Sequence, residues 1–169
     1  DNPRNLSDKM LLKLKENGGV IQMCIYTEYV KTPGPNPQRD SARQSVRIKH
    51  GNPYELDEEG KEAFWQDWIA VDKNFPPELA TVKDAVDHID HIVELIGIDH
   101  VGIGTDFDGG GGLKDCFDVS QMGNITLELV RRGYSARDIK KIWGGNLTRV
   151  FREVEAALSS EPGREREAC

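Results

Sequence analysis

Cysteine is scarce in this sequence: Cys24, Cys116 and Cys169 are the three present, far apart and forming no CxxC pair. That argues against a disulfide framework or a cysteine zinc site and leaves small apolar or incidental thiols. Long hydrophobic runs are lacking too, the longest being a few residues against the roughly 20 that cross a bilayer. No membrane-spanning segment is therefore expected in this chain. Positive charge is in deficit: 22 basic residues face 29 acidic ones, for a net charge of -7, and no basic stripe is interleaved with aromatics. Nucleic acid is not an expected partner. There is neither an initiator Met nor a charged-then-apolar leader, and the opening DNPRNLSD reads as the interior of a longer protein. Localisation stays open between cytoplasm and cell envelope.

What is present is a mixture of helical and strand patterns. NLSDKMLLKLKENGG predicts a short amphipathic helix, with Asn5 or Ser7 as cap, Met10, Leu11 and Leu14 as its stripe, and Gly18 and Gly19 as its stop. GVIQMCIY, residues 19–26, predicts a buried strand with Tyr26 and Tyr29 at or just past its carboxyl end. Pro33, Pro35, Pro37 and Pro53 then interrupt a polar stretch without steady period, which reads as one long loop over residues 31–60. Helical spacing resumes with Phe64, Trp68 and Val71, and again with Val82, Val86, Ile89, Val93 and Ile96. HVGIG predicts a second strand, and residues 119–158 read as helices broken at Gly133 and at Gly144 and Gly145. The tail, residues 159–169, has little to bury and is expected to be disordered. This order implies an α/β domain over residues 1–158 with parallel strands joined by crossovers. A pair of strands cannot form a sheet buried on both faces, so these strands are expected to pair with a region outside this chain.

The second strand delivers TDFDGGGG, and its spacing decides between chemistries. A P-loop needs GK followed by Ser or Thr, but Leu113 separates Gly112 from Lys114. A dinucleotide fingerprint would start at Gly102 and Gly104 and then meets Phe107 where its third glycine belongs. An EF-hand loop starting at Asp106 and Asp108 would place Phe117 where a bidentate glutamate is required. Two readings remain: a tight turn in which an aspartate bonds backbone amides, or an acid at the mouth of an α/β domain, where ligands bind. His88 and His91 stand three apart, a spacing helices use for metal ligands. At about 100° per residue, however, His91 falls nearly opposite the apolar stripe and His88 on its flank. Both read as solvated helix-surface histidines or as supports behind a site's direct contacts. Arg4, just before the first helix, can clamp a carboxylate with its guanidinium fork or serve as an ordinary surface charge.

In order and spacing, RNLSDKML, GGVIQMCIYTEY, HIDHIVELIGIDHVGIGTDFDG and IWGGNLTRVFREVE resemble the carboxyl-terminal half of the renal (membrane) dipeptidase family, zinc metallopeptidases that split dipeptides. The likeness covers residues 1–157 apart from 31–75. It implies the carboxyl-terminal part of a (β/α)8 TIM-type barrel of the metallo-dependent hydrolase kind, incomplete in this chain, with the 31–60 loop on its active face. It also implies dipeptide substrates and a hydroxide bridging a pair of zinc ions. Matched position by position, Asp106 becomes the catalytic aspartate, near the substrate amine and the metals. Arg4 becomes the binder of the substrate's terminal carboxylate, and Tyr29, with Tyr26, lines the pocket. The family's metal ligands all precede its RN motif, so none is assigned in this chain, and zinc is expected from residues upstream. His88 and His91 are not moved into that role, and the chain alone is expected to be inactive. Homodimerisation stays open. Two other classes compete: a noncatalytic module that binds a small anion on the glycine loop, and a structural half-barrel that pairs with another polypeptide.

Overall fold

The structure is a computed structural model and describes residues 2–160. The chain divides into two compact units, one formed by the segments before Pro33 and after Leu79, the other by Pro33–Leu79.

The first unit is α/β. Helix α1 (Asp8–Glu16) ends in a turn through Gly18, whose φ of 75° suits glycine. Strand β1 (Ile21–Cys24) follows and pairs in parallel with β2 (Val101–Gly104), Ile21 opposite Val101 and Cys24 opposite Gly104. The predicted strands and their parallel pairing are both found, and among the described residues these two strands make up the sheet. Side chains alternate along β1: Met23 and the following Ile25 are buried, while Gln22 and Cys24 project from the opposite face. Gly102 allows that face to close over β2, because a Cβ there would lie 2.5 Å from the Gln22 side-chain oxygen.

Helix α5 (Val82–Ile96) carries most of the helical core. Its start is fixed by a capping box, in which Thr81 accepts the Asp84 N–H and Asp84 accepts the Thr81 N–H. Ala85, Val86, Ile89, Ile92 and Ile96 are buried, and Val93 sits at the edge of the stripe. The helix packs against α1 and against α6 (Gly123–Arg131). Leu11 and Leu14 of α1 join this core as expected, but Met10 is 53% exposed. It lies about 100° around the helix from Leu11, off the narrow contact with α5.

Arg132 ties α6 to α5. Its Nη1 donates to Asp87 and Asp90 at 2.6 and 2.5 Å, its Nε donates to Glu128 at 2.9 Å, and Tyr134 donates to Asp90 at 2.7 Å. Burial opposes the Arg132 charge, but the bonds to Asp90, Asp87 and Glu128 outweigh it and hold the guanidinium firmly protonated. Burial and the bond to Asp90 likewise push the Tyr134 hydroxyl up.

Helix α7 (Ala136–Lys140) runs through a wide turn at Gly144, φ 155°, into α8 (Asn146–Ser160). Asn146 is 2% exposed and donates from Nδ2 to the carbonyls of Ile98 and Val101, at 2.7 and 2.8 Å. Arg149 donates to the carbonyls of Gly18 and Asp99, both at 3.0 Å. The GGN and TRVF motifs thus hold the approaches to both strands. Of the tail expected to be disordered, Ser159 and Ser160 end α8, and residues 161–169 lie outside the described residues.

The second unit corrects the expectation of one long loop over residues 31–60. Helix α3 (Pro37–His50) fills much of it, followed by a short 3-10 turn (Pro53–Glu55) and α4 (Glu58–Asn74). The prolines are compatible with helix because Pro37 stands in the first turn, where its missing N–H has no partner to lose. Asn36 accepts the Arg39 N–H at 3.1 Å, and Gly51, φ 82°, ends the helix. Val46, Phe64 and Val71 form a small core with Trp68, across which Arg43 and Arg47 lie at 4.6 and 5.3 Å. Arg43 also holds Asp72 through both carboxylate oxygens, at 2.7 and 2.9 Å.

Candidate active site

The carboxyl ends of β1 and β2 bring several of the predicted residues together. Asp106 stands two residues beyond β2, and its φ of 55° makes it the one non-glycine residue with positive φ among those described. Its own carbonyl accepts N–H bonds from Gly109 at 3.0 Å and from Gly111 at 2.5 Å, closing a tight turn. Two of the glycines are there for space. A Cβ at Gly109 would lie 2.2 Å from Asp106 Oδ1, and one at Gly111 would lie 2.1 Å from the Thr105 carbonyl. The turn then returns to β1, with the Gly112 N–H donating to Ile25 and the Thr27 hydroxyl donating to Gly112, at 3.1 and 2.9 Å. It packs back onto the end of the neighbouring strand rather than turning away from it.

The amides of Gly109, Gly110, Gly111 and Gly112 are all spent on internal carbonyls. An anion cradle needs free N–H groups converging on a ligand. This loop offers none from its glycines.

Arg4 is positioned from the other side of β1. Asn2 and Asn5 bracket it, donating to the carbonyls of Glu28 and Tyr29 at 3.3 and 2.8 Å. The segment is thereby pinned along the short helix α2 (Thr27–Val30). The Arg4 guanidinium lies 5.2 Å from the Tyr29 ring centre, and Tyr29 stands 4.8 Å from Tyr26. A cavity of about 230 Å³ opens here, lined by Arg4, Tyr29, Cys24, Gln22 and His88 among others. Asp106 and Tyr26 are not in its lining, but Asp106 reaches it through Cys24, whose Sγ lies 3.8 Å from Asp106 Oδ2. Burial pushes the Cys24 thiol up, and the Asp106 charge and hydrogen bond add to this, against an N–H bond from Tyr26 and the charge of Arg4.

The histidines are otherwise engaged. His88 Nε2 donates to the Val30 carbonyl at 2.7 Å, His91 Nε2 meets Asp8 at 2.8 Å, and His100 Nδ1 donates to the Gly19 carbonyl at 2.8 Å. Among the described residues no group of three or more His, Cys, Asp or Glu is placed to hold a metal ion.

The sequence profile of the membrane dipeptidase family (Peptidase family M19) matches residues 1–165. This chain belongs to the membrane dipeptidase family. Dipeptidase ataJ of Aspergillus terreus is 34% identical over 154 residues, which is 90% of this chain and 27% of that protein. Dipeptidase 3 of Rattus norvegicus is 40% identical over 90 residues, 51% of this chain and 18% of that one. The crystal structure of the probable dipeptidase PvdM from Pseudomonas aeruginosa superposes with a TM-score of 0.70 at 35% identity, over 92% of this chain and 42% of PvdM. The chain therefore spans well under half the length of these relatives. Among its described residues no helix is long and apolar enough to cross a membrane.

Nothing local in the sequence marks Cys24, Asn2 or Asn5 as parts of this site. Gly109 and Gly111 were visible as glycines but without a role. Their signal lies in the neighbour each one touches, not in its type.

Proposed function

We propose that this chain is the carboxyl-terminal portion of a zinc-dependent dipeptidase, and that it supplies substrate contacts and a catalytic aspartate to a (β/α)8 site completed by other residues. Membership of the membrane dipeptidase family supports a peptide substrate. The observation that carries the finer reading is that Cys24, at the carboxyl end of β1, lines one cavity with Arg4 and Tyr29 and brings its Sγ to 3.8 Å from Asp106 Oδ2, just beyond the carboxyl end of β2. Ligands of open α/β sheets bind at those ends.

In this reading Arg4 takes the terminal carboxylate of the dipeptide in its guanidinium fork, with Tyr29 and Tyr26 as the wall beside it. Asp106 accepts N–H bonds from the substrate's free ammonium. When water adds to the peptide carbonyl and the C–N bond breaks, Asp106 helps carry the water's proton to the departing amine. A peptide longer than two residues cannot present both its charged ends to these groups, so their separation sets the length of the substrate.

Among the described residues no group of three or more His, Cys, Asp or Glu is placed to hold a metal ion. His88 and His91 are bonded to Val30 and Asp8, and no acidic or thiol cluster surrounds them. In this reading the zinc ligands are residues that the family places before its RN motif.

The deciding experiment is hydrolysis of a dipeptide panel by the zinc-loaded full-length protein carrying Asp106→Asn. We expect kcat to fall by about a hundredfold or more, in line with loss of a positioned proton carrier. Unchanged turnover would remove Asp106 from the mechanism.

A further inference from the structure

Cys24 has no part in the mechanism above, yet it sits at its centre. It is the last residue of β1, level with Gly104 of β2, and Asp106 follows two residues later. The side chain projects from the same face of β1 as Gln22, lines the cavity with Arg4 and Tyr29, and brings Sγ to 3.8 Å from Asp106 Oδ2. That distance is within reach of a sulfur donor. The other carboxylate oxygen of Asp106 faces the backbone of Gly109, where a Cβ would leave 2.2 Å. The carboxylate thus lies between a glycine on one side and a thiol on the other, on a backbone held at positive φ by the Gly109 and Gly111 N–H bonds to its carbonyl.

We propose that Cys24 is a positioning residue of the dipeptidase site: its S–H donates to Asp106 Oδ2 and fixes the rotamer in which the carboxylate meets the substrate's ammonium.

The thiol suits this task because it must stay protonated to donate. Burial, and then the neighbouring carboxylate, hold its ionisation above the ordinary thiol range, so it is a donor throughout the neutral range rather than a nucleophile. Serine keeps a donor at this position and reaches the carboxylate once the Asp106 side chain closes by roughly 1 Å, whereas alanine keeps none. The inference rests on the assignment of Asp106 as the catalytic acid, and the test separates the two.

Two measurements are made on the zinc-loaded full-length protein. In the first, kcat and KM for a dipeptide are compared in Cys24→Ala and Cys24→Ser. We expect the alanine variant to lose about three- to tenfold in kcat with KM within about twofold, the size of one modest hydrogen bond, and the serine variant to restore it. Equal rates in the two variants overturn the positioning role. In the second, the pH dependence of Cys24 alkylation by iodoacetamide is followed in the parent protein and in Asp106→Asn. Removing the carboxylate is expected to move the onset of alkylation to lower pH, since its charge and hydrogen bond oppose the thiolate. An unmoved onset shows that the contact is absent and overturns the proposal, even if a Cys24 variant fails to fold. If Asp106→Asn leaves turnover intact while the onset moves, the catalytic assignment falls and the positioning role falls with it. If Asp106→Asn is inactive and the alanine and serine variants are alike, only the role of Cys24 is lost.

Discussion

At the scale of single residues, the glycine run divides into positions with different physical jobs. Gly109 does not have a positive φ, so an alanine is acceptable to its backbone, but the added Cβ meets the Asp106 carboxylate. Gly109→Ala in the full-length enzyme should lower kcat/KM by tenfold or so, the scale on which a displaced catalytic group is felt, while the melting temperature hardly changes. At Gly111 the added Cβ meets the Thr105 carbonyl, which is backbone and cannot swing aside. Gly111→Ala should therefore cost about 1–3 kcal/mol of stability, as overpacking does, read by denaturant unfolding. Arg4 offers a complementary check. Arg4→Ala should raise KM for a free dipeptide by tenfold or more, and the variant should no longer prefer it over its carboxyl-terminal amide, because the lost fork is what recognises the carboxylate.

At the scale of elements, helices with an apolar stripe were legible and helices without one were not. The buried positions of α5 follow the period that the sequence displays. Helix α3 has Val46 as its only buried aliphatic residue, and Ile48 is 78% exposed. It is held by Arg43 on Asp72 and by two guanidiniums across Trp68 of α4, which leave no hydrophobic period in the sequence of α3 itself. The prolines around it look like breakers, but the one inside it, Pro37, occupies the first turn. Helix starts also carry a pH dependence. The bond from Thr81 holds the Asp84 carboxyl below its ordinary value of 3.8. A carboxyl lowered on folding adds stability that is full well above 3.8 and lost as pH falls through the lower folded-state value. Thermal unfolding between pH 6 and 3 should show stability falling with acid, and Asp84→Asn should make the dependence shallower; an identical slope would refute the capping contribution.

At the scale of the whole molecule, the chain is a member of a peptidase family but spans 27% of one relative and 42% of another. The isolated chain of residues 1–169 should therefore bind zinc no more tightly than a solvated histidine does, and should not hydrolyse dipeptides. Equilibrium dialysis with zinc and a ninhydrin assay check both, and activity in the isolated chain would show that its own residues build the metal centre.

The sequence by itself determined the α/β class, the parallel strands, the apolar face of α5, and the family, through motifs that keep order and spacing. These properties are written locally, in hydrophobic period and in turn chemistry, so neighbouring residues suffice to reveal them. Tertiary structure alone decided that Cys24 meets Asp106, 82 residues away, and that Asn2 and Asn5 fasten the Arg4 segment to α2. It also decided that Asn146 and Arg149 secure the strand approaches and that α3 is a helix. Each of these depends on a partner distant in sequence, and a hydrogen bond or ion pair leaves no periodic trace in the residues that make it.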